Sequence, residues 1–595
     1  MQRTFRGLIL SAAAVCLVMP AIAAPGAQAA EKPQEWELVN PAGIIEKASV
    51  DPAKRIASLD GKTIALRWNS KHNGDVVLNR LAELLAKKYP SATIVKTYET
   101  DKSLNAISGT AAESERIAKA VASVKPDLVI ASQCDRGSCT SWLVVDQCNL
   151  EKMGVPTVTI VTDQFVTLAR GTQKSQGLTD MCFVTVPHPI GMLPKEQVDA
   201  KVDAAFGDIV KAATQWQPVK EKEAAQESPY PAKTFKFTGT YADVNKLFAK
   251  RKWSLSLPII PPTVDRVREM LKGTKRAPSE VLWVVPPRQG MLTVELVAVL
   301  GVMAGAQPEH MPLLLATIDA MKAPEAAWRG TSTTTAPTSP LIVISGPIVE
   351  KLKLNAGTGT AGGENPVTNA LGYFVNLVGD VVGGSVPPNF DKSTQGSSFD
   401  LVANVICENA KETPWDKTFA EEQGFTRDDS VVTISTSYLA NANIDHDSVA
   451  SEDLLNTFSA GIAGSASGIA SCLTVTVPDE KSPYNKPLSA WSNSVSYAVL
   501  VISPEHAATM YRDMKSKDAI RDYLVKNTVL PYKFYTKATC VPPEAFGPYD
   551  ANTLIPRFTQ RESIKMIVSG GPGKQSQFWG PFPPVLKPVS TKIAE

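Results

Sequence analysis

The sequence is poor in three features that would point to particular classes of protein. Lysine and arginine number 61 against 59 aspartate and glutamate residues, so no excess of positive charge is available to bind nucleic acid. The five histidines are scattered singly and no paired-cysteine knuckle occurs, so no zinc site is expected. No glycine-rich dinucleotide fingerprint follows the first predicted strand. We therefore expect no metal, no bound cofactor and no nucleic-acid partner, and we expect a small-molecule substrate.

Long apolar runs are also scarce. The nearest approach after the N-terminus, residues 294–306, is shorter than the roughly 18 to 20 apolar residues that a membrane helix needs, so we expect no stable membrane insertion. At the N-terminus, two arginines precede an apolar run from Leu8 to Met19, and Ala27-Gln28-Ala29 offers a small-residue cleavage site. This order is typical of a cleaved signal peptide. We predict that the mature chain begins near Ala30 and is periplasmic or secreted.

The cysteine count is informative in an exported chain. There are eight cysteines, and removing Cys16 with the signal peptide leaves seven. An odd number in a compartment that favours disulfides leaves at least one thiol free. We predict a disulfide between Cys148 and Cys182 and a free thiol at Cys139.

Short apolar strands alternate with amphipathic segments between residues 62 and 214. Apolar residues three and four apart, such as those from Val77 to Leu85, indicate helices between the strands. Five such units predict an α/β domain with an open, doubly wound parallel sheet of the flavodoxin or Rossmann type, in which ligands bind outside the carboxyl ends of the strands. The predicted strands are Thr63 to Arg67, Ala92 to Val95, Leu128 to Ala131, Thr157 to Val161 and Phe183 to Val186.

Polar residues that follow these strands should meet at one edge of the sheet. Asn69 and Asn73 follow the first strand, and the loop from Gln133 to Cys139 follows the third. Asp163 and His188 follow the fourth and fifth strands. This edge is therefore the predicted site.

The loop before residue 139 has the features of a reactive-cysteine loop. Gly137 is expected to supply the free backbone of a sharp turn, and Cys139 falls where a helix begins. The unpaired N–H groups and the positive end of the helix dipole favour a thiolate there. Arg136 and Ser138 lie at the same edge, and the planar fork of Arg136 suits a carboxylate. Cys134 is a second candidate thiol.

Four separated stretches of this region resemble one known family, the UGSC family. It is named for a selenocysteine-Gly-Ser-Cys motif and is similar to the selenoprotein B subunits of glycine, sarcosine and D-proline reductases. Arg136 stands where the family carries selenocysteine, so only Cys139 of the redox pair is in register. The stretches are Trp68-Asn69-Ser70-Lys71-His72-Asn73-Gly74-Asp75, Arg136-Gly137-Ser138-Cys139-Thr140-Ser141-Trp142, Asn149-Leu-Glu-Lys-Met-Gly154-Val-Pro156-Thr-Val and Val186-Pro187-His188-Pro189-Ile-Gly191.

The resemblance implies thiol chemistry on a small substrate. The reductases cleave a carbon–nitrogen bond by nucleophilic attack and resolve the adduct with the second sulfur. Because Arg136 replaces the attacking selenium, we expect an enzyme that is lyase-like, hydratase-like or reductive, with Cys139, Cys134 and His188 as catalytic candidates. The alternative is a periplasmic small-molecule binding protein that has kept the fold and lost catalysis.

Each of these residues also has a plainer interpretation. Cys139 is otherwise an inert buried thiol or half of a disulfide, and Cys134 is otherwise structural. Arg136 is otherwise a solvated loop residue. His188 in Pro-His-Pro is otherwise a rigid loop histidine that caps a strand end.

The rest of the chain predicts a second α/β domain. The predicted division is a signal peptide over residues 1–29, an N-terminal extension over 30–60, the UGSC-like domain over 61–215, a linker or partly ordered excursion over 216–255, and the second domain over 256–595. Three predicted strands, Val281 to Val285, Leu341 to Ser345 and Ile564 to Ser569, each end at a loop rich in glycine or proline.

This second region resembles a portion found fused to, or encoded beside, members of the same family. The predicted site lies between the Cys139 edge and the Asn/Gly-rich loops of this region, although its asparagines are otherwise simple Asx turns. The sequence leaves the oligomeric state open, a homo-oligomer included. The substrate-binding candidates of the second region are Arg288, Asn355, Asn365, Asn369, Cys407, Glu408 and Asn409, beside Asn69, Asn73, Arg136 and Ser138 in the first.

Overall fold

The structure is a computed structural model. It describes residues 32–219, 225–363, 365–397, 400–464, 497–531, 533, 550–552, 554–558, 560–581 and 587–594. The predicted signal peptide, its cleavage site and Cys16 lie outside the described residues. In the described part of the chain, no helix is both long enough and apolar enough to cross a membrane.

Strands and helices alternate in the N-terminal region. The elements are β1 (Gln34–Val39), β2 (Thr63–Trp68), α1 (Gly74–Lys88), β3 (Thr93–Lys96), α2 (Thr97–Thr100), α3 (Ala111–Ala122), β4 (Leu128–Cys134), α4 (Gly137–Lys152), β5 (Thr157–Thr162), α5 (Val166–Ser175), β6 (Phe183–Val186) and α6 (Lys195–Thr214). Every predicted strand of this region is present.

Strands β2 to β6 form one parallel sheet in the order β3-β2-β4-β5-β6. Helices α1 and α6 pack on one face, and α3, α4 and α5 pack on the other. Helix α1 buries Val77, Leu78, Leu81 and Leu85, the apolar spacing that indicated a helix. The predicted α/β class with a parallel sheet covered on both faces is confirmed.

The predicted disulfide between Cys148 and Cys182 is wrong, because the sheet separates the two thiols. Cys148 on α4 packs on the α4/α5 face, where its Sγ lies 3.8 Å from the Sδ of Met181. Cys182 belongs to the opposite face, and its Sγ donates to the carbonyl of Ala212 on α6 at 3.6 Å. Both are buried free thiols.

The described part of the second region contains further helices and strands, and the strands form one mixed sheet and several two-stranded sheets, so the prediction of additional α/β structure is confirmed. A π-helical turn, Val378–Val382, continues the helix Pro366–Leu377. The elements are β7 (Thr234–Gly239), α7 (Tyr241–Lys250), α8 (Val264–Leu271), β8 (Val281–Val285), β9 (Gly290–Thr293), α9 (Val294–Ala304), α10 (Met311–Met321), α11 (Trp328–Thr331), β10 (Thr338–Ser345), α12 (Ile348–Lys351), α13 (Pro366–Leu377), β11 (Asn404–Cys407), α14 (Phe419–Glu422), β12 (Val431–Ile444), α15 (Ser451–Gly464), β13 (Ala498–Ile502), α16 (Pro504–Met514), α17 (Lys517–Asn527), β14 (Val529–Pro531), β15 (Leu554–Pro556), β16 (Ile564–Val568), β17 (Gln575–Pro581) and β18 (Val589–Lys592).

The main sheet of this region is mixed, with strand order β11-β10-β12-β17-β13-β16 and β18 paired to β12. The predicted strands at β10 and β16 belong to it. The third predicted strand, β8, does not, because four residues later the chain turns back as β9 and forms a separate antiparallel hairpin with it. Two of the three predicted strands therefore share the main sheet, and β8 lies outside it.

The segment 216–255, predicted to be a linker or partly ordered excursion, contains β7 and α7. Strand β7 pairs antiparallel with β1 over its full length. Trp36 and Leu38 of β1 and Val244 and Phe248 of α7 belong to one apolar core with α9, α10 and α13. Burial of these side chains therefore attaches the N-terminal strand to the second region.

Candidate functional site

Hydrogen bonds join three loops at the carboxyl edge of the parallel sheet. The Asn69 amide donates to the carbonyl of Gln133 at 2.8 Å, and the Gln133 N–H donates back to the Asn69 Oδ1 at 3.2 Å. The Asn73 amide donates to the carbonyls of Ile190 and Leu193, both at 2.9 Å. The loops after β2 and β6 therefore meet the end of β4, as the sequence predicts, although Gln133 and Cys134, predicted in the loop, belong to the strand.

Asp135 reinforces this junction and was not among the predicted site residues. Its Oδ2 accepts from the N–H groups of Ile190 and Gly191 at 3.1 and 2.6 Å, and from the Gln133 amide at 3.2 Å. The side chain is buried. A carboxylate held by backbone donors in this way positions the loop before α4, and a sequence alone offers no sign of those donors.

Cys139 lies in the first turn of α4, as predicted. The helix begins at Gly137, and Arg136 is its N-cap in extended conformation, without a side-chain capping bond. Ser138 is half-buried in the same turn, whereas Cys139 is only 7 % exposed. The first turn carries no acidic residue. The helix dipole therefore acts on the Cys139 sulfur without a neighbouring carboxylate in that turn.

The residue that the sequence reasoning missed is Lys71. Its side chain is fully buried, and its ammonium hydrogen-bonds the Cys139 sulfur. Burial lowers the pKa of Lys71; the Cys139 sulfur opposes this effect and the charge of Arg136 adds to it. Lys71 lies two residues after Asn69, in a stretch already singled out, so the available signal was a lysine beside the predicted edge.

Arg136 is the second cation of the site. It is half-buried, and its charge lies close enough to Lys71 to affect the pKa of that amine. Within the described ranges, its guanidinium forms no hydrogen bond or ion pair. Two positive side chains and a helix N-terminus therefore meet around Cys139, an arrangement that favours anions.

Cys134 and His188 have more structural contacts. Burial raises the pKa of the fully buried Cys134 thiol well above its ordinary value, and the charge of Asp135 adds to this effect. His188 is exposed, and its Nδ1 lies 3.2 Å from the hydroxyl of Thr162 at the end of β5. The backbone N–H of His188 donates to the Oδ1 of Asp163 at 3.3 Å. These contacts match the strand-capping interpretation of His188, and its catalytic role stays a prediction.

The start of α4 is covered by the second region at Thr333, not at the predicted Asn/Gly-rich loops. A Cβ on Gly137 would lie 1.9 Å from the carbonyl oxygen of Thr333. Gly137 is not among the residues with positive φ. The glycine is therefore needed for this close approach of two backbones, and the predicted reason, a turn that needs free backbone, is wrong.

The candidate asparagines of the second region bond to their own loops, whereas Arg288 bonds to the distant π-helical turn Val378–Val382. Arg288 donates to the carbonyls of Val381 and Val382, and burial lowers its pKa. Asn355 forms an Asx turn, accepting from Gly357 N–H at 2.9 Å. Asn365 caps α13 by accepting from Thr368 N–H at 3.2 Å, and Asn369 donates to the carbonyl of Gly363 at 3.1 Å. Local structure accounts for the three asparagine contacts, and the Arg288 contact joins two segments of the second region.

Cys407, Glu408 and Asn409 likewise connect loops of the mixed sheet. Burial raises the pKa of Cys407 to about 12, and its carbonyl accepts from the hydroxyl of Ser569 at 2.6 Å. The buried Glu408 carboxylate accepts from the N–H of Phe419 at the start of α14. Asn409 donates to the carbonyl of Gly570 at 3.3 Å. These three consecutive residues lie where β11 ends, next to the residues that follow β16.

The fold and the site define an α/β protein with a buried lysine–cysteine contact and a second cation at the carboxyl edge of a parallel sheet. Among the described residues, no group of histidine, cysteine, aspartate and glutamate side chains is arranged to hold a metal ion. Residues 37–215 match the family model of the UGSC family, and this part of the chain belongs to that family. The match spans β2 to α6 and so includes Cys139. No curated protein and no solved structure matched the chain.

Proposed function

We propose that this chain is an exported, thiol-dependent enzyme that acts on a small, carboxylate-bearing organic substrate through Cys139. The observation that carries the proposal is the contact between the Lys71 ammonium and the Cys139 sulfur in the first turn of α4. A positive charge and a helix dipole directed at one sulfur are the means by which proteins make a cysteine reactive.

Lys71, Arg136 and Cys139 have separate roles in this proposal. Lys71 stabilises the thiolate of Cys139, and the planar guanidinium of Arg136 binds the substrate carboxylate through two parallel hydrogen bonds. The Cys139 thiolate then attacks an electrophilic carbon or removes a proton next to the carboxylate. Lyase-like, hydratase-like and reductive outcomes all begin with these steps.

Export is proposed from the sequence of the first 29 residues. Two arginines, an apolar run and a small-residue cleavage site occur there in the order of a signal peptide. Mass-spectrometric mapping of the protein recovered from the periplasm or medium should find an N-terminus near Ala30. An intact Met1 in soluble protein would contradict export.

A periplasmic binding protein is the second candidate function. The observation that favours it is the low exposure of the reactive groups: Lys71 is fully buried and Cys139 is 7 % exposed. Arg136 alone suffices to bind a carboxylate, and a binding protein has no need of a reactive thiol. The two candidates therefore differ in the reactivity of Cys139.

The deciding experiment has two readouts on the same purified protein. A metabolite pool is incubated with wild type, Cys139→Ala and Cys182→Ala, and consumed and formed compounds are identified by mass spectrometry. Cys182 is a buried thiol on the far side of the sheet, so Cys182→Ala controls for the loss of a buried sulfur. We expect turnover in wild type and Cys182→Ala and none in Cys139→Ala.

The second readout is the rate at which iodoacetamide alkylates Cys139. Lys71→Met should slow the reaction, because the ammonium that contacts the sulfur is gone. Arg136→Lys should preserve the thiol reactivity and weaken carboxylate binding, because a lysine keeps the charge and loses the fork. If Cys139→Ala turns over the pool as wild type does and Lys71→Met alkylates at the wild-type rate, the enzymatic proposal fails.

A further inference from the structure

The second region lies over the helix turn that carries Cys139. The Cys139 side chain is only 7 % exposed. The backbone of Thr333 approaches the same turn so closely that a Cβ on Gly137 would lie 1.9 Å from the Thr333 carbonyl oxygen. We call residues 331–336 the cover segment. A small molecule has full access to the Cys139 sulfur only when this cover segment moves.

A second segment holds the cover segment in place. The Ser385 hydroxyl donates to the carbonyl of Ser332 at 2.7 Å. The Thr394 N–H donates to the carbonyl of Thr335 at 3.0 Å. Both donors belong to residues 385–397, which we call the strap. Because these hydrogen bonds join the two segments, we expect the cover segment to move with the strap.

Two side chains attach the strap to the N-terminal region. The ring of Phe390 packs against the apolar core between the parallel sheet and helices α4 and α5. Gly171 leaves the space for this ring, since a Cβ there would lie 1.9 Å from it. The Lys392 ammonium donates to the carbonyl of Gln164, just after β5, at 2.7 Å, and lies 5.2 Å from the ring centroid of Phe165. The strap therefore crosses the carboxyl edge of the sheet, where the predicted site lies.

The length and the ends of the strap are those of a loop that can move. Residues 383–397 contain no helix or strand. Loops longer than about 12–15 residues without secondary structure are uncommon in compact domains and often serve as active-site lids. Gly384, just before the strap, and Gly396, near its end, have positive φ values of 73° and 69°. Rotation at these two glycines would lift the strap once the Phe390 ring leaves its place.

We propose that the cover segment and the strap form a lid over the proposed active site, with Phe390 as the residue that holds the lid closed. This inference rests on the proposed function, because it gives the second region control of access to Cys139. Substrate enters when the Phe390 ring leaves the core of α4 and α5. The closed lid then excludes water, which strengthens the attraction between a bound carboxylate and the nearby cations. The family model covers residues 37–215, so the lid is supplied by a part of the chain outside it.

The test compares how fast iodoacetamide alkylates Cys139 and Cys182 in the same folded protein, by peptide mapping with mass spectrometry. Cys182 is buried on the opposite face of the sheet, so its rate reports on opening of the N-terminal region as a whole. In Phe390→Ala, we expect the Cys139 rate to rise about tenfold and the Cys182 rate to stay unchanged. A tenfold increase corresponds to a cost of lid opening that is lower by about 1.4 kcal/mol.

A second variant keeps the test available if Phe390→Ala does not fold. Lys392→Met should raise the Cys139 rate about two- to tenfold, the factor that one ordinary hydrogen bond gives. Phe235→Ala is the matched control, because Phe235 is a half-buried phenylalanine of the second region that packs against Trp253 on β7 and α7, away from the strap. Both rates should stay at the wild-type values in this control.

Three results would overturn the lid. One is an unchanged Cys139 rate in both strap variants, and another is an equal acceleration of Cys139 and Cys182, which indicates general destabilisation. The third is alkylation of Cys139 in the folded wild-type protein at the rate of the unfolded chain. Turnover that persists in Cys139→Ala would instead overturn the proposed function, so the two failures are distinguishable.

Discussion

Adding one methyl group at residue 137 tests how the second region covers the start of α4. In Gly137→Ala, the new Cβ would lie 1.9 Å from the carbonyl oxygen of Thr333 and 2.9 Å from the carbonyl carbon of Thr334. Both are backbone atoms, so no side-chain rotation relieves the overlap. Either the Thr333–Thr334 backbone moves away or α4 shifts.

Two opposing effects decide the sign of the stability change. Alanine favours a helix over glycine by about 0.8–1 kcal/mol. Inserting a methyl group into a packed interface costs about 1–3 kcal/mol and more where the neighbour is rigid. The φ of Gly137 is not positive, so backbone strain adds nothing. The difference between the two effects is about 0–2 kcal/mol, and because the atoms that the methyl group meets are rigid backbone we expect Gly137→Ala to destabilise the protein by an amount near the upper end, about 2 kcal/mol.

Gly207→Ala is the matched control. Gly207 lies within α6, and its Cβ position has no heavy atom within 4 Å. Only the helix preference remains, so this variant should gain up to about 1 kcal/mol. Calorimetry measures the free energy of unfolding of both variants and of wild type. In a separate measurement, iodoacetamide should label Cys139 faster in Gly137→Ala than in wild type, because Thr333 moves away. A gain in stability by Gly137→Ala equal to that of Gly207→Ala would refute the close contact.

Three further predictions follow from buried groups. Burial raises the pKa of Asp380 well above its ordinary value, so the folded state keeps a proton that the unfolded state releases. Stability is therefore lost as pH rises above about 4, by up to roughly 1.4 kcal/mol per pH unit, and Asp380→Asn should remove this slope in denaturation curves between about pH 5 and 7. Parallel curves for variant and wild type would contradict it. Cys148 and Cys182 should both be alkylated in unfolded, unreduced protein, whereas a mass that fits a bridge between them would show the free-thiol assignment to be wrong. Asp146→Asn should cost about 3–5 kcal/mol, because it leaves the fully buried Arg67 guanidinium without the carboxylate that it contacts at 3.0 Å; an unchanged melting temperature would argue against this pair.

The parallel sheet could be predicted because its strands are covered on both faces. Every residue of β4 and β5 is buried, and the sequence shows apolar or β-branched runs over the first four residues of β4 and all of β5. The position of Cys139 followed from the same pattern, because in a doubly wound sheet the loop after a buried strand leads into a helix. Local sequence therefore determined both the sheet and the helix start.

The remaining features of the site depend on contacts between distant segments. The approach of Thr333 to Gly137 joins residues almost 200 positions apart, and no local pattern encodes it. The Lys71 contact spans two loops of the sheet edge in the same way. The prediction of a disulfide was wrong for the same reason, because sequence spacing does not say on which face of the sheet Cys148 and Cys182 lie. Long-range geometry, not residue type, was the missing information.

The charges at the site also couple ligand binding to protonation. Lys71 and Arg136 bring two basic side chains to one place beside Cys139, which favours an anionic ligand there. Burial lowers the pKa of Lys71 most and the charge of Arg136 lowers it further, so a carboxylate bound to Arg136 should offset the second of these effects. Binding should then be accompanied by partial proton uptake at Lys71, while release of the carboxylate should favour the neutral amine. In the proposed function, the cation that binds the substrate carboxylate therefore also influences the protonation of Lys71.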